Sequence, residues 1–155
     1  MDNPSLIITP IDNQPLIKVA RNLPNIGVIK NYNDFVYLAI DDGYIHSLFP
    51  LLNDKEVEKP DYFSIGIGTH ISVIYPDEMK NPQIELDRQI DFQIVELLKA
   101  ETIDAIYYVL RVSSPELIQI RKMNNLGEKL NLNGYIIDLH TTIGKKSKGL
   151  SNESI

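Results

Sequence analysis

Cysteine and tryptophan are absent from this 155-residue sequence, and histidine occurs only three times, as His46, His70 and His140. Without cysteine there is no disulfide, no thiol nucleophile and no zinc–thiolate site, and the chain is indifferent to redox state. No HExxH pair and no Asp-x-Asp-x-Asp loop occurs, so neither a metal site nor a cofactor is expected. No apolar run approaches the length that spans a bilayer, and Met1-Asp2-Asn3-Pro4 lacks the start of a signal peptide. The expectation is a cytoplasmic protein with no membrane partner. Positive charge is scarce too. Lysine and arginine number 15 against 21 acidic residues, a formal charge of −6. Proteins that grip long nucleic acids do so with a basic face. Here lysines are scattered, apart from the run Lys145-Lys146-Ser147-Lys148. Any nucleic-acid partner should be a short RNA, an oligonucleotide or a cyclic nucleotide, with no extended duplex binding.

What is present is the composition of a globular domain, 43% hydrophobic and 23% charged. The length suits a single domain, 1–155, and a monomer is expected. Residues 1–30, rich in proline and asparagine, read as an extended N-terminal arm or an irregular hairpin, with short β-like runs at 16–20 and 26–30. DFVYLAI, 34–40, is a strand by its aromatic and β-branched content. Residues 44–52 suit a short helix, with Ile45, Leu48, Phe49 and Leu52 at helical spacing. The stretch 62–75, YFSIGIGTHISVIY, is β-rich, with Gly66 and Gly68 marking a bulge or bend. Residues 76–89 are polar, hold two prolines and read as a loop able to cover a site. Strands follow around 91–98 and 105–112. Ser114-Pro115-Glu116 opens a helix, with serine as cap, proline at the first position and glutamate complementing the dipole; it should run to about Leu126, before Gly127. GYIIDLHTTI, 134–143, is a last strand, and 145–155 reads as a flexible tail.

One local pattern repeats. His70-Ile71-Ser72-Val73 and His140-Thr141-Thr142-Ile143 are both His-x-Ser/Thr followed by an apolar residue, each within a strand. In a strand, residues i and i+2 share a face, so His70 sits beside Ser72 and His140 beside Thr142. Two such strands side by side would present two imidazoles and two hydroxyls to one cleft. Imidazoles change charge near neutral pH and can serve as general base and general acid. Each positioned proton transfer is worth on the order of 10² to 10⁴ in rate. The hydroxyls can hydrogen-bond non-bridging phosphate oxygens and stabilise charge as it builds. That set suffices to cleave a phosphodiester beside a 2′-hydroxyl, or to open a 2′,3′-cyclic phosphate. Either histidine alone reads better as a half-buried strand residue satisfied by its neighbour; the two together point to chemistry.

Through GTHISVIY and IDLHTTIG the sequence resembles the 2H phosphoesterase superfamily, named for two His-x-Thr/Ser-hydrophobic motifs. The resemblance extends over the element order from Asp34 to Ile143. It implies an α+β fold of two lobes, pseudo-twofold antiparallel sheets flanking a central cleft with helices outside. It also implies metal-independent cyclic phosphodiesterase, 2′-5′ oligonucleotide phosphodiesterase or RNA 3′-end trimming activity. His70 and His140 would be the catalytic pair, and Ser72 and Thr142 the phosphate binders. The first motif has serine where threonine is commoner, which keeps the hydrogen bond.

Other residues have plainer readings. His46 lacks a hydroxyl two positions on and reads as a surface residue. Tyr75 and Tyr135 are open to stacking on a base or to packing. Lys145, Lys146 and Lys148 suit a second phosphate or a solvated tail. Arg111 faces the cleft or not according to register, and Asp138 orients His140 or is an edge charge. A non-catalytic nucleotide-binding module with the same cleft is the alternative function, and a structural protein with incidental histidines a third.

Overall fold

The computed structural model describes residues 5–148. Two four-stranded antiparallel sheets form its two lobes. The first lobe is built on β2 (Ile26–Tyr32), β3 (Phe35–Ala39), β4 (His70–Ile74) and β5 (Gln89–Asp91), in the order β4-β3-β2-β5. The second holds β1 (Ile7–Ile11), β6 (Gln93–Glu101), β7 (Ala105–Ser113) and β10 (His140–Ser147), in the order β1-β6-β7-β10. A small hairpin of β8 (Leu130–Leu132) and β9 (Tyr135–Ile137) directly precedes β10 in the chain. The helices are α1 (Gln14–Ala20), α2 (Gly43–His46) and α3 (Pro115–Met123). No helix among the described residues is long and apolar enough to cross a membrane.

The internal symmetry runs hairpin, helix, motif strand. It occurs once as β2-β3-α2-β4 and again as β6-β7-α3-β10. Each motif strand is the edge of its own sheet, and the two edges lie against one another. The helices cross over: α2 packs against β10, and α3 against β4 and β5. This mutual cover explains why all five residues of β4 and the first five of β10 are buried, without the alternation of a half-exposed strand. The α+β, two-lobed architecture that the resemblance implies is therefore present.

The N-terminal segment is not an extended arm. Residues 7–11 form the outer strand of the second sheet, pairing with β6, and residues 14–20 are helical. Asn13 caps that helix by accepting from the Leu16 amide at 3.2 Å, and Pro15 suits its start. Leu16, Ile17 and Ala20 then bury one side of the turn, which outweighs the β-like look of Leu-Ile-Lys-Val-Ala. The 44–52 helix is split into α2 and a 3₁₀ turn at Phe49–Leu51, because Pro50 supplies no N–H to continue it. Helix α3 stops at Met123, three residues early, where Asn125 turns left-handed with φ 62°. Residues 145–147 are not tail but the end of β10; 149–155 lie outside the described residues. The β2–β3 and β8–β9 connections are two-residue turns, Asn33-Asp34 and Asn133-Gly134, all four at positive φ.

Candidate active site

Both motif histidines are held by the same device. His70 Nδ1 lies 2.8 Å from the carbonyl oxygen of Gly68, and His140 Nδ1 lies 2.7 Å from that of Asp138, two residues back in each case. A carbonyl can only accept, so each Nδ1 carries the proton and each Nε2 is left as the working nitrogen. The approach to each strand is matched as well. Ile40 N–H donates to the Thr69 carbonyl at 3.1 Å, and Val112 N–H to the Leu139 carbonyl at 3.0 Å. Gly68 holds a positive φ of 71°, and a Cβ there would stand 3.2 Å from an Asp42 carboxylate oxygen, so this acceptor needs glycine.

The imidazoles are 9% and 3% exposed. Burial lowers the pKa of His70, partly offset by its bond to Gly68. Burial pushes His140 down to about 4, against the raising effect of the Asp138 carbonyl. A charge on His70 lowers His140 further, so the two rings stand within electrostatic reach of each other. Ser72 and Thr142 are buried beside them. The motif strands thus bring all four residues to the seam between the lobes. Among the described residues, no three His, Cys, Asp or Glu side chains gather as a metal-binding group.

The walls differ on the two sides. His70 and Ser72 border a cavity of about 420 Å³ walled by Tyr32, Phe35, Tyr62, Ile65, Tyr75 and Leu132. Tyr62, Phe35 and Tyr37 present ring contacts to His70, with centroids 4.6, 5.6 and 5.6 Å away. His140 borders a second cavity, about 320 Å³, shared with Pro10, Glu96, Leu98 and Arg111. A third cavity, about 520 Å³, lies at the start of α3 and touches neither motif histidine; it shares Arg111 and Asp138 with the second.

The secondary candidates fall out as follows. Arg111 is the cross-strand partner of His140, lines its cavity, and pairs with Glu96 through Nε at 2.9 Å and Nη2 at 2.5 Å. Asp138 orients His140 through its backbone carbonyl, while its carboxylate stands 3.9 Å from Lys129 Nζ. Tyr75 is buried, stacks on Phe35 and lines the His70 cavity; Tyr135 is in the β8–β9 hairpin and lines none of these cavities. His46 is exposed, stacked on Phe63 and 3.1 Å from Lys59 Nζ. The lysine run is engaged elsewhere. Lys145 lies over the Tyr107 ring, Lys146 pairs with Asp54 and Glu56, and Lys148 with Glu101.

Two corrections concern the cover of the site. Residues 62–69 are not strand but a turn at Gly66 and Gly68, which walls the His70 cavity through Tyr62, Ile65 and Ile67; of residues 76–89, Pro76 lines it. The 76–89 loop is instead fastened to α3. Gln83 exchanges two hydrogen bonds with the Asn124 side chain, and Arg88 pairs with Glu116 at 2.5 Å.

Arg121 escaped the sequence reading altogether. It is 1% exposed and reaches from α3 into the first lobe. It donates to the Val73 carbonyl of β4 at 2.7 Å, to those of Gly127 and Lys129, and to both oxygens of Glu78. Glu78 in turn accepts from the Tyr75 and Asn131 amides. The only signal was its helical spacing, four residues after Leu117, and a charged residue there ordinarily faces water.

A family model for the Swiss Army Knife 2H phosphoesterase domain matches residues 36–151, about three quarters of the chain. The match takes in both motifs and both motif strands. The protein belongs to the 2H phosphoesterases, and is a phosphoesterase by that membership. Neither the curated proteins nor the solved structures hold a match.

Proposed function

We propose that the protein is a metal-independent phosphodiesterase acting beside a ribose 2′-oxygen, on a 2′,3′-cyclic phosphate, a 2′-5′ oligonucleotide or an RNA 3′ end. One observation carries this reading: two imidazoles with the same Nδ1–carbonyl anchor, each offering Nε2 at the seam of the lobes. One neutral imidazole takes a proton from water or the 2′-hydroxyl as that oxygen attacks phosphorus. The other, protonated, gives its proton to the oxygen whose bond to phosphorus breaks. Ser72 and Thr142 donate to the non-bridging oxygens as charge builds on them. Burial favours the neutral form of both imidazoles, and a negative phosphodiester supplies the opposite charge that favours protonating one of them.

The test is a variant series on 2′,3′-cyclic AMP and 2′-5′ oligoadenylate. His70→Ala and His140→Ala should each lower kcat at least about 100-fold, and Ser72→Ala or Thr142→Ala less. A 3′-5′ DNA oligonucleotide, lacking the 2′-oxygen, should not be cut. Full activity in either histidine variant would remove the acid–base assignment. Nucleotide binding with no turnover by the wild type would favour the non-catalytic module.

A further inference from the structure

The lobes share a backbone plan but not their linings. Opposite Ser72 stands Tyr37, and opposite the equivalent Thr142 stands Val109; opposite His70 stands Ala39, and opposite His140 stands Arg111. Aromatic rings therefore gather on one side only. Phe35 stacks on Tyr37 at 5.2 Å and on Tyr75 at 5.9 Å, the latter pair within 2° of parallel. Tyr62 sets its ring against His70, and Tyr32, Ile65 and Leu132 close the rim. Among the described residues, no Asp, Glu, Lys or Arg lines this cavity, whereas Glu96 and Arg111 line that of His140.

We propose that the His70 cavity receives an uncharged aromatic group of the substrate, a nucleobase, and holds it by stacking without reading its edge. The proposal rests on the phosphodiesterase reading and adds a direction to it: the base-bearing side of the phosphodiester lies at His70, the other at His140 and Arg111. A charged or strongly hydrated group entering the aromatic cavity would lose water and gain no ionic partner. A flat ring replaces that water with aromatic faces and loses little. Reading a base edge takes several converging donors and acceptors. The one side-chain amide in this lining, Asn33, sits exposed on the β2–β3 turn. Affinity should therefore depend on having a base and only weakly on which base.

Calorimetric binding of adenosine 3′-phosphate, uridine 3′-phosphate, phenyl phosphate and glycerol 2-phosphate tests this on the full chain. The Tyr32→Ser/Ile65→Ser variant is compared with wild type. Both positions are on the rim, 60% and 63% exposed, and thermal unfolding checks that the fold is kept. The two nucleotides should bind about tenfold tighter than glycerol 2-phosphate, close to each other, and the double variant should lose that margin. Phenyl phosphate should fall between them. Equal affinity for glycerol 2-phosphate would overturn the proposal, as would a margin that survives the double variant. A single base preferred by more than about tenfold would overturn the absence of edge reading, and phenyl phosphate matching the nucleotides would overturn the nucleobase assignment. The readout is binding, so it stands apart from turnover. Binding that gains from a base, without cleavage, would sink the catalytic reading and keep this one; cleavage with no gain in binding from a base would do the reverse.

Discussion

His140 is the motif histidine whose titration burial moves to a stated value. In an unfolded chain its imidazole titrates near 6.5, while burial in the folded protein pushes it down to about 4. Between those values the unfolded chain binds a proton that the folded chain does not, so stability rises with pH across the window. The contribution is complete above pH 6.5 and lost as pH falls to 4. Its size is about 3 kcal/mol. Urea unfolding at pH 7 and pH 4 should show wild type losing stability in acid, and His140→Gln losing markedly less. Equal losses would mean that His140 is not held neutral by the fold. The identity of this residue was legible in the sequence, because the His-x-Ser/Thr spacing fixes which side chains share a strand face. Its anchor was not: residue identity said that Asp138 stood two positions away, and offered the carboxylate, whereas the backbone carbonyl does the orienting.

At the scale of elements, what holds the first motif strand is its tie to a helix from the other half of the chain. Arg121 on α3 joins the Val73 carbonyl to Glu78, with the two side chains 1% and 5% exposed. A buried pair adds little net stability compared with apolar substitutes, but breaking one partner strands the other charge. Arg121→Met should therefore cost about 3–5 kcal/mol, and Arg121→Met/Glu78→Gln should recover part of it. Chemical denaturation of the three proteins decides this; a single variant as stable as wild type would show the clamp to be idle. Elements with strong local signals were legible: β3 from its aromatic run, α3 from its Ser-Pro-Glu start, the β6–β7 hairpin from its two apolar runs. Those that depend on distant partners were not. The run 16–20 is β-branched enough to suit a strand, and only Asn13, Pro15 and burial against the second lobe make it a helix. The turn at Asn133-Gly134 is the reverse case, a local hairpin signal at the head of the run 134–143, which the structure divides into β9 and β10.

At the scale of the whole molecule, duplication explains why the function is legible in so plain a sequence. Two hairpin–helix–strand units place their histidines on facing edges, and exchange of helices between the lobes locks those edges together. The repeat was readable because one pattern, a histidine, a hydroxyl residue two positions on and an apolar residue after it, occurs twice. The asymmetry of the cavities was not, since the rings that make one side aromatic come from β2, β3 and the 62–67 turn, far apart in sequence. The central claim is that two imidazoles alone do the proton transfers. Turnover of 2′,3′-cyclic AMP in excess EDTA, by wild type and by His70→Ala/His140→Ala, tests it most directly. The account predicts that the wild type cleaves at an undiminished rate in EDTA and the double variant does not cleave at all. Loss of wild-type activity on chelation, or cleavage by the double variant, would contradict it.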